Sequence, residues 1–152
     1  MDIKELKPTS IWHYFDAITG VPRPSKKEER IREFLLNFAK EQNLEVKVDK
    51  TGNVVITKEA TPGCEGAPTV ILQAHMDMVC EKNGDVKHDF ERDPIETYID
   101  GEWVKARGTT LGADNGIGMA AAMAVLADKE LKHGRIQALF TVDEETGLTG
   151  AF

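Results

Sequence analysis

A histidine and an aspartate, His75 and Asp77, stand two residues apart at the end of an apolar run in ILQAHMDMVCE, residues 71–81. Residues i and i+2 of a strand point to the same face, so this imidazole and this carboxylate can lie side by side. A metal-binding histidine usually has its second ring nitrogen held by a hydrogen-bond acceptor, often a carboxylate. The pattern therefore fits a metal ligand with an orienting carboxylate, and it also fits a strand-end histidine beside a capping aspartate.

A further carboxylate, Asp114, lies among glycines in GTTLGADNGIG. Glycines permit positive φ angles and close backbone approach, so they could hold this carboxylate between two neighbouring groups. An ordinary helix entry with Asp114 or Asn115 as N-cap is an alternative. A dinucleotide-binding loop is another, because Gly116-x-Gly118 matches part of GxGxxG. Ala121 replaces the third glycine, however, and an acid inside the loop would repel a pyrophosphate.

Three consecutive acids, Asp143, Glu144 and Glu145, follow the apolar run IQALFTV. Adjacent like charges repel unless a cation, a proton or solvent compensates them. A solvated loop is therefore one interpretation of this cluster. Adjacent residues of a strand point to opposite faces, so Glu144 and Glu145 can also take different roles, one as a metal ligand and one facing substrate or water.

The elements that must position these residues alternate between helices and strands, which predicts an α/β fold with a mixed sheet. Ser25 and Glu28 form a capping-box pattern that predicts the start of a helix. The apolar strand ending at His75 is expected to be a central strand buried on both faces. The predicted helices are 9–20 and 25–43, with a third from 115 to Gly134; the predicted hairpins turn at KTGN and at Asp100-Gly101.

Ligands of open α/β sheets bind beyond the carboxyl ends of the strands. The three polar stretches are therefore expected to share one rim of the sheet. One imidazole and several carboxylates suit Zn²⁺, Mn²⁺ or Co²⁺ better than a thiolate-rich structural zinc site would. Two such ions bridged by one carboxylate form a recurrent hydrolytic arrangement, in which a free carboxylate acts as general base. Cys80 and the remaining histidines (His13, His88 and His133) are weaker ligand candidates, and Cys80 is more simply a small buried hydrophobic residue.

Composition excludes several classes of protein. The chain has 152 residues and a net charge of −7, which disfavours binding to nucleic acid or to an anionic membrane. No apolar run approaches the roughly 18 residues of a membrane span, and MDIKELKPTS lacks the profile of a signal peptide. The two cysteines argue against a disulfide scaffold, so a cytoplasmic location is expected.

The stretches HMDMVCE, GTTLGADNGIG and DEETGLTGAF, in this order, resemble successive motifs of the M20 metallopeptidases. WHYFDAITGVPRPSKKEERI is similar to the aminoacyl-histidine (Xaa-His) dipeptidase branch of that family. The resemblance implies that His75 binds one Zn²⁺, that Asp77 orients His75, and that Asp114 bridges two metal ions next to a cis Asp114-Asn115 peptide. It also implies that Glu144 is the general base and that Glu145 binds the second ion. Short peptides are the implied substrates.

Members of that family are longer, and they supply one further acidic ligand, one further histidine ligand and an inserted lid domain used in substrate binding and dimerisation. The resemblance therefore implies that residues 1–152 are the N-terminal part of a catalytic domain, without the lid and inactive on their own. Association through exposed sheet edges is expected. A non-catalytic metal-binding fragment is the alternative, as is the specificity of the related aminoacylases or tripeptidases.

Overall fold

The computed structural model describes residues 2–152. Within that range a 3₁₀ turn at Ile3–Glu5 precedes the first helix, and another, Thr149–Ala151, lies near the end. The helices are α1 (Thr9–Thr19), α2 (Glu29–Glu41) and α3 (Ala113–Ala127), and the strands are β1 (Glu45–Val48), β2 (Val54–Lys58), β3 (Val70–His75), β4 (Thr97–Asp100), β5 (Trp103–Ala106) and β6 (Ile136–Thr141). None of the helices in this range is both long enough and apolar enough to cross a membrane.

The main sheet is mixed, as the sequence predicted. Its four strands are ordered β1-β2-β6-β3, and the remaining two, β4 and β5, form a separate antiparallel hairpin. Strands β1 and β2 pair antiparallel, as do β2 and β6, whereas β3 runs parallel to β6 with His75 opposite Thr141. Because β3 and β6 are parallel, both end at the same edge of the sheet. Both hairpins are confirmed, including the turn at Asp100-Gly101.

The hydrophobic core lies between one face of this sheet and the three helices. Alternate residues of a strand share a face, and the apolar residues of β2 and β6 that face the helices are buried. Helix α3 packs on β3 and β6, α2 contacts β1 and β2, and α1 packs on α3. The fully buried side chains of this core include Phe15, Ile18, Ile31, Leu35, Val54, Ile56, Met119, Met123, Ala138 and Phe140.

The predicted position of β3 is wrong. Its apolar sequence suggested a central strand, but among the described residues β3 is an edge strand of the sheet, with β6 as its one strand neighbour. Val70 is 52% exposed and Ile71 is 61% exposed. Ile71 shares a sheet face with Gln73 and His75, which is the face opposite the helical core. The carboxyl end of β3 is nevertheless buried, beginning at Ala74.

Two helix boundaries also differ from those predicted. The second helix does not begin with a capping box at Ser25; α2 begins at Glu29, and its N-cap Glu28 makes no side-chain capping hydrogen bond. Helix α3 ends at Ala127 rather than near Gly134, with Asp128 as its C-cap. His133 therefore lies beyond the helix and not at its C-terminus. The first difference arises because the Ser25 side chain bonds to Asp77, and the Glu28 side chain bonds to the N–H groups of Lys26 and Asp143 rather than to that of Ser25.

Candidate metal centre

His75 ends strand β3, and its side chain is 6% exposed. Its Nδ1 lies 3.0 Å from the main-chain oxygen of Asp77 and 3.3 Å from Oδ1 of the same residue. With the proton on Nδ1, the lone pair of Nε2 faces Asp114 Oδ1 at 3.0 Å and Glu144 Oε2 at 3.9 Å. The imidazole therefore presents one nitrogen to an acceptor that fixes its tautomer and the other to a group of carboxylates.

Asp77 is completely buried, and its carboxylate is surrounded by His75 Nδ1 and three further donors. Ser25 Oγ–H donates to Oδ2 at 2.6 Å, and the backbone N–H groups of Glu144 and Glu145 donate to Oδ1 and Oδ2 at 3.0 and 3.2 Å. Burial raises the pKa of Asp77, but His75 and these donors outweigh burial and hold the pKa well below its usual range. Asp77 is therefore an anion that joins the end of β3 to the acidic turn after β6.

Asp114 lies at the start of α3, where the backbone is not yet helical. Its φ and ψ angles are −89° and 109°, and the Asp114-Asn115 peptide is cis, as the family resemblance implied. Gly112, with φ of 71°, precedes it in the left-handed conformation that glycine adopts without strain. This backbone turns the Asp114 carboxylate toward His75 and leaves its side chain 84% exposed.

Glu144 and Glu145 lie in a tight turn after β6. Asp143 begins this turn with φ of 49°, and its carboxylate accepts hydrogen bonds from Thr146 Oγ1 and Thr149 Oγ1. Asp143 is thus a structural residue of the turn, which leaves the next two acids to face the rim. Burial raises the pKa of Glu145, and neighbouring carboxylates add to that rise while His75 opposes it.

Three of the predicted ligands converge. One ligand atom from each of His75, Asp114 and Glu145 lies within 4.8 Å of the other two. Among residues 2–152, no lysine or arginine lies within salt-bridge distance of the carboxylates of Asp114, Glu144 or Glu145. An imidazole nitrogen facing several uncompensated carboxylates is a set of hard and borderline ligands that suits a divalent cation. The residues therefore fit a metal ion.

When no metal is bound, a proton on the His75 imidazole compensates the charge of the same carboxylates. Burial lowers the pKa of His75, but hydrogen bonds to Asp77 and Asp114 outweigh it and raise the pKa from 6.5 to about 9. The protonated ring can then donate from both nitrogens. A metal ion at Nε2 would have to displace this proton.

A pocket of about 560 Å³ opens beside the cluster. It lies on the sheet face that the helices do not cover, because Gln73, His75 and Leu139 share that face. Asp114 and Glu144 also line it, whereas the carboxylate of Asp77 is buried behind His75. The pocket could therefore admit a small ligand to the side of the cluster on which Asp114 and Glu144 lie.

A second acidic cluster, formed by Glu28, Asp77 and Asp143, lies behind the first and is buried throughout. Its carboxylates are held by donors within the chain. Glu28 Oε1 accepts from the backbone N–H groups of Lys26 and Asp143 at 3.0 and 2.9 Å. Burial raises the pKa of Glu28, and these hydrogen bonds partly offset the rise. The second cluster therefore supports the first through hydrogen bonds.

Sequence reasoning missed the contributions of Arg23, Ser25 and Glu28 to this region. The Ser-x-x-Glu pattern predicts a helix start and not a contact with this site. Arg23 is 1% exposed, and a buried arginine carries no local sequence signature of its own. Burial lowers the pKa of Arg23 to about 10, with Asp77 opposing that effect, so the guanidinium is cationic at neutral pH.

The weaker ligand candidates do not join either cluster. Among residues 2–152, the two groups just described are the ones in which three or more possible ligand atoms converge. His133 Nδ1 lies 2.7 Å from the Gly134 carbonyl oxygen, and His13 and His88 pack against aromatic rings. Cys80 is a half-buried free thiol whose pKa is raised by burial.

The fold and these side chains together define an α/β protein with a candidate carboxylate-histidine metal centre at the rim of its sheet. The sequence model of peptidase family M20/M25/M40 matches residues 71–151, just over half of the chain. The chain belongs to this family, whose peptidases are metal dependent. The matched segment contains the residues of the ligand cluster, and family membership removes the basis for the dinucleotide-loop alternative.

Individual relatives agree with this assignment. The chain is 53% identical over 151 residues to the cytosol non-specific dipeptidase of Escherichia coli, covering 99% of this chain and 31% of that protein. The crystal structure of an aminoacylhistidine dipeptidase from Vibrio alginolyticus superposes with a TM-score of 0.98 at 57% identity, over 100% of this chain and 31% of that one. A Staphylococcus aureus tripeptidase gives a TM-score of 0.78 at 25% identity, covering 96% and 39%. The chain thus spans about a third of the length of these relatives.

Proposed function

We propose that this chain carries part of the active site of a metal-dependent dipeptidase that hydrolyses short peptides. The observation that supports this most directly is the convergence of His75, Asp114 and Glu145 within 4.8 Å, in a chain of a peptidase family. The 53% identity to a dipeptidase favours dipeptides, Xaa-His among them, over the substrates of tripeptidases and aminoacylases.

Each residue has a distinct role in this proposal. His75 would help to hold one ion and Glu145 the second, and Asp114 would contribute to holding both. Two metal ions, when bound, supply Lewis-acid activation of a water and of the scissile carbonyl. Glu144, which lines the pocket 3.9 Å from the imidazole, would accept the proton of the attacking water and pass it to the leaving amine. Asp77 would fix the His75 tautomer.

Zinc is the proposed metal, with Mn²⁺ or Co²⁺ as substitutes. Imidazole and carboxylate ligands with water completing the coordination are typical of catalytic zinc. A cytoplasmic location is proposed because the E. coli relative is named a cytosol enzyme.

We further propose that residues 1–152 form the N-terminal part of the metallopeptidase catalytic domain and turn over dipeptides poorly by themselves. The family resemblance implies one more acidic and one more histidine ligand than this sequence supplies. Fewer ligands weaken both metal binding and the positioning of substrate. Hydrolysis of an Xaa-His dipeptide by the purified 152-residue chain with Zn²⁺ or Mn²⁺ tests this, and turnover at an ordinary enzymatic rate would contradict it.

The exposed edge of β3 supports a proposal of self-association. An unpaired edge strand offers free backbone N–H and C=O groups, and the exposed side chains of Val70 and Ile71 add apolar area. Association through this edge would pair the backbone groups and cover the apolar side chains. A second copy of the chain is the proposed partner.

Zinc calorimetry tests the metal site without requiring activity. The chain should bind Zn²⁺, and Asp114→Ala should weaken binding by at least about 10-fold, since even residues that only orient ligands change affinity by that factor. Asp85→Ala is the matched control, because Asp85 is an exposed aspartate outside both acidic clusters. Equal heats for wild type and Asp114→Ala would remove Asp114 from the ligand set.

A further inference from the structure

The connection between α1 and α2, residues 20–28, contacts every segment that carries a proposed ligand. Arg23 donates from Nη1 to the carbonyl oxygens of Met76 and Asp77 at 3.1 and 3.2 Å. It donates from Nη2 to the carbonyl oxygen of Gly112 at 2.5 Å. The first two carbonyls directly follow His75, and the third lies two residues before Asp114. One guanidinium therefore bonds to both the His75 segment and the Asp114 loop.

The protein leaves space for this guanidinium by means of two glycines. A Cβ atom at Gly112 would lie 2.5 Å from Arg23 Nη2, and one at Gly116 would lie 2.7 Å from the same nitrogen. Both separations are too short for non-bonded contact. Arg23 thus fills a cavity that is closed by the backbone of the Asp114 loop and the first turn of α3.

Simple packing does not account for Arg23. Among residues 2–152 it forms no salt bridge, and its Nε has no hydrogen-bond partner. Removing a guanidinium from water without a directly paired carboxylate is unfavourable, and an apolar side chain would fill the cavity without that penalty. What an apolar side chain cannot do is donate to three carbonyls on two separate segments at once.

We propose that Arg23 is a positioning residue of the metal centre, whose planar guanidinium sets the separation between His75 and the Asp114 loop. This inference rests on the proposed function, since it concerns the same ligands. Arginine suits the task because its donors form a rigid fork, whereas a lysine offers one point charge on a flexible stem.

The same connection also reaches the third segment. The main-chain oxygen of Arg23 accepts from Met78 N–H at 3.1 Å, so the connection lies directly along the end of β3. Ser25 Oγ–H donates to Asp77, and Glu28 accepts from Asp143 N–H. These bonds hold the acidic turn in place, which leaves the Asp114 loop as the part that depends on Arg23.

The primary test compares zinc affinity in wild type, Arg23→Met and Arg23→Lys by calorimetry, with thermal melting of each variant. Positioning predicts that Arg23→Met weakens zinc binding by about 10-fold or more and that Arg23→Lys recovers part of the loss. Arg135→Met, the same change at an arginine whose side chain is 42% exposed, should leave affinity within a factor of about two. Leu35→Ala, a buried change on α2, serves as the stability control, and should lower the melting temperature while retaining affinity.

A second variant keeps the inference testable if Arg23→Met fails to fold. Gly116→Ala retains the Arg23 side chain but places a methyl group that would displace its guanidinium, and alanine is favourable in a helix. It should weaken zinc binding in the wild-type chain and weaken it less in the Arg23→Lys chain, where the flexible side chain can move away. A direct effect on Asp114 would instead give equal losses in both chains.

The possible outcomes separate the two proposals. No zinc binding by wild type would overturn the metal site, and with it the role of Arg23. Wild-type binding with unchanged affinity in Arg23→Met would overturn the role of Arg23 alone. If Arg23→Met does not fold, equal losses for Gly116→Ala in both chains would overturn that role.

Discussion

The protonation of His75 allows a test of the site that requires neither metal nor substrate. In metal-free protein the folded-state pKa is about 9 against an ordinary value of 6.5, a difference of about 2.5 pH units. A raised folded-state pKa stabilises the folded protein fully below the unfolded pKa, and this stabilisation is lost as the pH rises through the folded pKa. At ~1.4 kcal/mol per pH unit, the free energy of unfolding should fall by about 3 kcal/mol between pH 6.5 and 9.

Urea unfolding in the presence of a chelator, at about pH 6, 7.5 and 9, measures this dependence. His75→Gln should remove the decrease, because glutamine does not titrate. His13→Gln, a change at an exposed histidine of α1, should retain it. Parallel pH profiles for wild type and His75→Gln would refute the view that the carboxylates around Nε2 stabilise a proton there.

The proton on His75 also leads us to expect that zinc affinity depends on pH. Zinc requires a neutral imidazole, so binding at Nε2 below about pH 9 must release the proton of His75. Zinc affinity should therefore rise as the pH increases from 6.5 toward 9. Calorimetry in two buffers with different ionisation enthalpies measures the number of protons released, and a value near zero at neutral pH would mean that zinc does not bind this nitrogen.

Three further predictions concern stability and association. Ser25→Ala should lower the free energy of unfolding by about 1.5–3 kcal/mol, the range for a hydrogen bond to a charged group such as Asp77, and an unchanged urea midpoint would contradict this. Leu35→Ala should cost about 2–5 kcal/mol in the same assay, because Leu35 is fully buried, and a smaller loss would indicate a loosely packed core. Ile71→Lys should weaken self-association in sedimentation equilibrium, whereas Trp103→Lys, at a 70% exposed residue of the separate hairpin, should not; equal effects would exclude the β3 edge as the interface.

The approach of His75 to the acids after β6 was predictable because the sequences of β3 and β6 both indicate strands. Each is an apolar run that ends in polar residues, and parallel neighbours bring those ends to one edge. The register, with His75 opposite Thr141, then brings the acids after β6 close to the imidazole. What the runs do not encode is the number of neighbours of each strand. For that reason β3 was predicted to be central, whereas it lies at the edge.

The misread helix start has a different physical cause. Ser and Glu three residues apart favour a capping box because their side chains can bond to free backbone N–H groups. The same chemistry serves any unpaired donor or acceptor nearby in space. Here Ser25 bonds to Asp77, 52 residues away in sequence, and Glu28 bonds to Asp143, 115 residues away. Ser25 therefore has a tertiary partner in place of a local one, and Glu28 adds a tertiary partner to the nearby Lys26 N–H, both beside the proposed metal centre.

The Asp114 loop marks the limit of sequence reasoning at this site. Strands β3 and β6 position His75 and the acidic turn. The Asp114 loop belongs to no strand, and it makes contacts with a residue far away in sequence. Gly112 permits the left-handed turn, and the carbonyl of that glycine is held by Arg23, 89 residues away in sequence. The glycine-rich pattern could show that close approach was needed, but not which side chain approached. Residues 71–151 match the family, whereas the arginine that bonds to this loop precedes that segment.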